Sequence, residues 1–217
     1  MWFKLSNQAQ SPVTHILALR HGETDWNVAK RMQGHLDIPL NQNGLAQADV
    51  LAKALAQEPI SAIYSSDLSR AAVTALPLAQ LKDLPVHKTA QLRERHFGVF
   101  QGKTYSEIEG LLPQAFGLWR DRDPDFSAQD GESLRQLQTR IAAFMQEIAQ
   151  RHAGQTVAIF SHGGVMDIIY RIANKVELHL PRSWVIPNAV INRITWDGQE
   201  FKMLAWGEAL NLDSHEV

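Results

Sequence analysis

The stretch Leu19-Arg20-His21-Gly22-Glu23-Thr24-Asp25-Trp26-Asn27 decides how the chain is read. Before it runs Ile16-Leu17-Ala18-Leu19, a short apolar run long enough for a strand buried on both faces of a parallel sheet. The run stops after Gly22, and Thr24 begins a segment that can open a helix. A strand that ends in Arg-His-Gly and turns toward a helix sets a cation, an imidazole and free backbone N–H groups at one sheet edge. In open α/β sheets that edge is where ligands bind, and helix N-termini there favour anions. Arg20 offers a planar fork for phosphate oxygens, and His21 can be a neutral nucleophile near pH 7. An isolated Arg-His pair would be no more than a surface charge and a turn residue, so the rest of the chain must carry the argument.

Working outward, Asn41 is placed to cap a helix carrying Leu45, Ala48, Leu51, Ala52 and Leu55. Ser61–Tyr64 reads as a strand, and Ser65-Ser66-Asp67 offers N-cap chemistry for a helix through Leu78 that Pro77 should bend or end. Val86–Thr89 is a third short strand. Thr104 and Glu107 have capping-box spacing. A long amphipathic helix follows over Glu132–His152, with Gly154 as its stop. Thr156–Phe160 is another strand and again ends in a His-Gly turn, Ser161-His162-Gly163-Gly164, before a helix from Val165 to Asn174. Ala189–Trp196 and Phe201–Trp206, joined at Asp197-Gly198, make a hairpin. The alternation predicts an α/β fold: a three-layer α/β/α sandwich with a mostly parallel central sheet and a C-terminal β-hairpin.

The 217 residues suit one such domain, read here as residues 13–217 after a loose leader at 1–12, with 103–130 as a capping segment over the pocket. A net charge of −2 gives no electrostatic case for nucleic acid or anionic membranes, so an anion site must concentrate charge locally. Zero cysteines exclude disulfides and thiolate catalysis and fit a cytoplasmic location. No stretch approaches the roughly 18 apolar residues of a membrane span. The nine histidines show no His-Glu-x-x-His spacing, and no acidic cluster resembles a cation cage, so neither a metal nor a cofactor is expected. His15, His35, His87, His152, His179 and His215 read as structural or solvated, while His96 lies near enough to Glu94 to be a candidate for the pocket wall.

Arg20 to Asn27 resembles the Arg-His-Gly-Glu-Thr-x-Trp-Asn signature of the histidine phosphatase (phosphoglycerate mutase-like) superfamily. Further landmarks match along the chain. Ser65–Ala71 resembles the segment that delivers a second phosphate-binding arginine, here Arg70. Leu92-Arg93-Glu94 resembles the one that supplies an acid/base carboxylate, here Glu94, although a salt bridge to Arg93 or Arg95 would also explain that residue. Ser161-His162-Gly163 matches the second catalytic histidine. The resemblance implies a catalytic set of Arg20, His21, Arg70, Glu94 and His162, with Asn27, Gln33, Gly34 and Gly163 at the substrate.

That set suits phosphoryl transfer, which needs an in-line nucleophile and positive charge around the equatorial oxygens. His21 would attack as free imidazole and form phosphohistidine, and Arg20, Arg70 and His162 would supply charge. Glu94, with a reason to hold its proton opposite a dianionic substrate, would protonate the leaving alkoxide and later activate water. The expected activity is metal-independent hydrolysis of small phosphorylated metabolites. Two alternatives are a cofactor-dependent phosphoglycerate mutase and a catalytically silent phosphate-binding module. The mutases that the chain resembles carry an arginine pair where Arg120 is followed by Asp121, a lysine near Tyr105, and His-Gly-Asn where Gly164 stands. Those departures predict less charge for a second anionic group. A silent module would be expected to have lost His21 or Glu94. Oligomeric state is not legible.

Overall fold

The computed structural model describes residues 12–208. The leader expected at 1–12 lies outside them except for Pro12. Six strands form one sheet in the order β3-β2-β4-β1-β5-β6. β1 (Thr14–Arg20), β2 (Ile60–Ser66), β3 (Val86–Thr89) and β4 (Thr156–Ser161) run parallel, while β5 (Ile191–Trp196) and β6 (Phe201–Glu208) form the antiparallel hairpin on the far side of β1.

The period-two alternation of a strand explains the three layers. In β1, Ile16 and Ala18 face one way, toward α6 (Leu134–Arg151) and α7 (Gly163–Asn174), with Leu137, Ile141, Val165 and Ile169. Leu17 and Leu19 face the other way, toward α2 (Gln42–Ala54) and α3 (Ser69–Lys82), with Leu51 and Leu78. β1 is thus apolar throughout because both of its faces are covered. A third apolar group, Met32, Phe100, Ile108, Phe116 and Ala128, joins α4 (Tyr105–Leu111) and α5 (Pro113–Arg120) to the chain near residue 32. Among the described residues no helix is long and apolar enough to cross a membrane.

Most local signals act as the sequence implies. Thr24 caps the short α1 (Asp25–Val28), and Asn41, Thr104 and Ser133 cap α2, α4 and α6. The start of α3 differs. Ser65 and Ser66 complete β2, and Asp67 is occupied by a bidentate pair with Arg93 at 2.7 and 2.6 Å. The side chain of Leu68, the N-cap, makes no capping bond, and Asp37 from a distant loop accepts the Ser69 N–H at 2.7 Å. Pro77 does not end α3, which runs on to Lys82. Burial of Ala75, Leu78 and Ala79 against the sheet outweighs the ~3 kcal/mol that an interior proline costs.

Candidate active site

β1 and β4 are adjacent and parallel, with Arg20 opposite Ser161, and the His21 N–H donates to the Ser161 carbonyl at 2.9 Å. The two His-Gly turns therefore leave the same sheet edge side by side. The His21 and His162 rings lie with centroids 5.2 Å apart, and both residues are buried.

Their hydrogen bonds assign opposite tautomers. His21 Nδ1 faces the Gly22 carbonyl at 2.6 Å. A carbonyl only accepts, so Nδ1 carries the proton and Nε2 keeps its lone pair. His162 Nδ1 instead accepts from Arg70 Nε at 3.2 Å, so its proton sits on Nε2. Burial pushes both imidazoles well below their ordinary pKa, and nearby guanidiniums add to the effect. His162, expected to supply positive charge, is thus neutral and supplies an N–H donor instead. Its Nε2 is buried and has no partner among the described residues, as is true of Arg20 Nε.

Arg70 is buried, and its guanidinium spans the site's floor. It donates to the Leu36 carbonyl at 2.8 Å and the Gly34 carbonyl at 2.7 Å as well as to His162. Burial lowers its pKa to about 10. Gly34 is held at φ +54, where a Cβ would meet Gln101 Oε1 at 2.1 Å, which accounts for glycine there. Thr74 ties the helix to the first turn by accepting the Gly22 N–H at 3.0 Å. Arg20 donates Nη1 to the Ile186 carbonyl. Asn27 Oδ1 accepts from the Thr24 N–H, which leaves its amide nitrogen as the donor available to the cavity. Gln33 donates to Thr24 Oγ1 at 2.8 Å, while its Oε1 is buried without a partner among the described residues.

Glu94 sits across from the two histidine turns. Neither neighbouring arginine pairs with its carboxylate. Arg93 turns to Asp67, and the Arg95 side chain donates to the Glu132 and Phe126 carbonyls. Glu94 Oε1 accepts the Arg95 N–H at 2.8 Å, and both oxygens lie 3.0 Å from the Gly164 nitrogen. Its segment is pinned from behind: Arg140 of α6 donates to the Gln91 and Arg93 carbonyls, and His35 Nε2 donates to the Glu94 carbonyl at 2.8 Å. A Cβ on Gly163 would stand 3.6 Å from Arg20 Nε and 3.8 Å from Glu94 Oε2, so a bare backbone separates the guanidinium from the acid. His96 is not among the cavity residues. Its ring meets His35 edge-on at 4.6 Å.

These groups line one cavity of about 610 Å³. Arg20, His21, Asn27, Gln33, Gly34, Arg70, Glu94 and Gly163 all reach it. His162 adjoins it through the His21 ring and Arg70. Several residues that sequence reasoning missed reach it too. Seven arginines and Lys30 line the wall, opposed by Glu94 and Asp167. Among the unforeseen ones are Arg95, held at about 10 by burial, and Arg182. Tyr105 and Asp121 were expected to leave less positive charge on this side; Arg182 adds a cation there from a loop remote in sequence, while Arg122, next to Asp121, pairs with Asp167 at 2.7 Å. Asn188 was also unforeseen. It donates to the His21 carbonyl at 2.8 Å and fixes the turn from the hairpin side. Among the described residues no group of three or more His, Asp or Glu side chains could hold a metal ion.

A nucleophile-ready imidazole beside buried guanidiniums, at the carboxyl edge of a parallel sheet, defines an α/β protein built to handle a phosphoryl group. The histidine phosphatase superfamily (branch 1) profile matches residues 16–209, and the chain belongs to that family. It is 36% identical over 202 residues to phosphoglycerate mutase-like protein 4 of Arabidopsis thaliana, covering 91% of this chain and 86% of that one. It is 35% identical over 211 residues to the metal-independent phosphoserine phosphatase of the same plant, covering 95% and 87%. Among solved structures, Bacillus stearothermophilus YhfR superposes with a TM-score of 0.85 at 34% identity, over 90% of this chain and 98% of that one.

Proposed function

We propose that this chain hydrolyses phosphomonoesters of small metabolites by double displacement through phosphohistidine at His21. The opposed tautomers carry the reading. One imidazole presents a lone pair at Nε2, and beside it the other presents an N–H. In the first step His21 Nε2 attacks phosphorus, the P–O ester bond breaks, and Glu94 gives a proton to the departing alkoxide. Arg20, Arg70 and the His162 Nε2–H stabilise charge on the equatorial oxygens, with Asn27 and Gln33 at the rim of that subsite. In the second step water attacks, Glu94 takes its proton, and the P–N bond breaks to release inorganic phosphate. Gly34 acts through its carbonyl, which holds Arg70, and Gly163 keeps clear the space between Arg20 and Glu94.

Hydrolysis, rather than a mutase reaction, is supported by the phosphoserine phosphatase matched over 95% of this chain. The segment 103–130, as part of a single domain at 13–217, covers the leaving-group side, with Tyr105, Trp119, Arg120 and Arg122 on the cavity wall. The working partners are small phosphorylated metabolites, neither nucleic acid nor membrane. A chain without cysteine suits the reducing cytoplasm.

The test is trapping. Phosphorylated substrate labelled in the phosphoryl group is mixed with chelator-treated enzyme and quenched in alkali, which preserves phosphohistidine. Label is expected on His21, and none with His21→Ala. Label on His162 or a serine, or activity lost to chelation and restored by magnesium or zinc, would overturn the mechanism.

A further inference from the structure

We propose that Asn188 is a positioning residue that, together with Gln47, keeps the His21 ring in its reactive tautomer and orientation; this rests on the phosphohistidine reading above. The Gly22 carbonyl takes the His21 Nδ1–H and so leaves the lone pair on Nε2. It can do so only while its peptide plane is held, and that plane carries the Gly22 carbonyl at one end and the Glu23 N–H at the other. Side chains grip both ends. Gln47 of α2 accepts the Glu23 N–H at 2.8 Å, and Asn188 Nδ2 donates to the Gly22 oxygen at 3.2 Å.

The turn needs such outside help. A Cβ on Gly22 would meet the Gly44 carbonyl at 2.5 Å, so the position requires glycine, the residue least able to hold its own dihedrals. The Asn188 nitrogen also lies 2.8 Å from the His21 carbonyl and 3.3 Å from Asn27 Oδ1. Carbonyls only accept, so the group facing His21 and Gly22 is the amide nitrogen and not its oxygen. The next residue, Ala189, is buried, sits at φ +51 and donates its N–H to the Arg20 carbonyl at 3.2 Å. An alanine in the left-handed region is strained, and here the strain accompanies a bend that turns residues 188 and 189 onto three successive carbonyls, those of Arg20, His21 and Gly22. Neither Asn188 nor Gln47 lines the cavity, so both act through the turn.

The consequence is chemical. In the reactive form Nε2 supplies the electron pair of the P–N bond, the P–O pair leaves with the alcohol, and the imidazole keeps its proton on Nδ1. With the plane released, the Nδ1–H loses its acceptor and the ring its orientation. A ring protonated on Nε2 has no lone pair for phosphorus. Good and poor leaving groups then suffer alike, because the fault lies in the nucleophile and not in the acid.

Long-range ¹H–¹⁵N correlation spectra of the free protein, assigned with His21→Gln, distinguish the two tautomers without reference to activity. Wild type is expected to show His21 protonated on Nδ1 alone. Asn188→Leu, which keeps the shape without the donor, is expected to introduce the Nε2–H form. It should also slow single-turnover phosphoenzyme formation by something like 10–100-fold, equally for O-phospho-L-serine and p-nitrophenyl phosphate. Gln47→Ala releases the other end of the plane and should move both readouts the same way. Alanine is a strong helix former, so this variant keeps the test open if Asn188→Leu does not fold. A pure Nδ1–H signal in every folded variant would overturn the proposal. So would a loss confined to KM, which would mean that Asn188 serves only to steer Asn27, or a loss confined to O-phospho-L-serine. Absence of label on His21 in the wild type would instead defeat the phosphohistidine reading, and the spectra would still decide whether Asn188 holds the ring.

Discussion

Acidification should destabilise this protein through its two site histidines before its carboxylates titrate. His21 and His162 are 3% and 0% exposed, and burial, followed by neighbouring guanidiniums, holds both well below the ordinary value of 6.5. The unfolded chain therefore takes up their protons first as pH falls. Stability from these groups is fully present above 6.5 and is lost as pH drops below it toward the folded-state values. One pH unit below the unfolded value, each group costs about 1.4 kcal/mol, and the pair about 3 kcal/mol. That is a large share of the roughly 5–15 kcal/mol that holds a domain together. His35, half-buried and also lowered by burial, pushes in the same direction. Urea unfolding measured from pH 7.5 down past 5.5 reads the slope, and His162→Gln, which keeps a hydrogen-bonding group without titrating, should remove about half of it. An identical slope in wild type and in the His21→Gln/His162→Gln double variant would refute the reasoning.

Two further outcomes concern Glu94. Glu94→Gln keeps the shape but has no proton to give, so single-turnover phosphoenzyme formation should fall by about 10²–10⁴-fold for an alkyl phosphate. It should fall far less for p-nitrophenyl phosphate, whose leaving group departs largely unaided, and equal losses would remove Glu94 from the acid role. Gly164→Ala should separate activity from stability. The new Cβ would lie 2.3 Å from Glu94 Oε1, so the carboxylate must move and alkyl phosphate turnover should drop, while alanine in the first turn of α7 holds or raises the unfolding midpoint.

The residues legible in the sequence are those whose signal is local. Arg20, His21, His162 and Gly163 sit where an apolar strand gives way to a turn, and that pattern alone places them at a sheet edge. Placing Arg70 and Glu94 required the family resemblance, because a helix arginine and a loop glutamate carry no periodic signature. What the sequence hid is what the tertiary structure supplies. Asn188 reaches the His21 carbonyl because β5 pairs antiparallel with β1, and Arg182 reaches the cavity because buried Arg171 anchors its loop. The cap of α3 failed for the same reason: Arg93 claims Asp67, and Asp37 arrives from a loop 32 residues away.

The arrangement also answers how a chain of net charge −2 can bind a phosphoryl group without protonating its own nucleophile. Two guanidiniums beside the imidazoles attract the anion and, by the same field, repel a proton from His21. Burial adds to that repulsion, so the free base persists next to a dianion that would otherwise draw a proton to it. An arginine remains charged where a lysine or a second imidazolium would give up its proton under the same desolvation. Arg70 then does a second service. Its Nε–H can only donate, so it forces His162 to carry its proton on the other nitrogen. The cation that holds the phosphate thereby fixes a neutral donor beside it, and the Gly22 carbonyl fixes the opposite tautomer on the nucleophile.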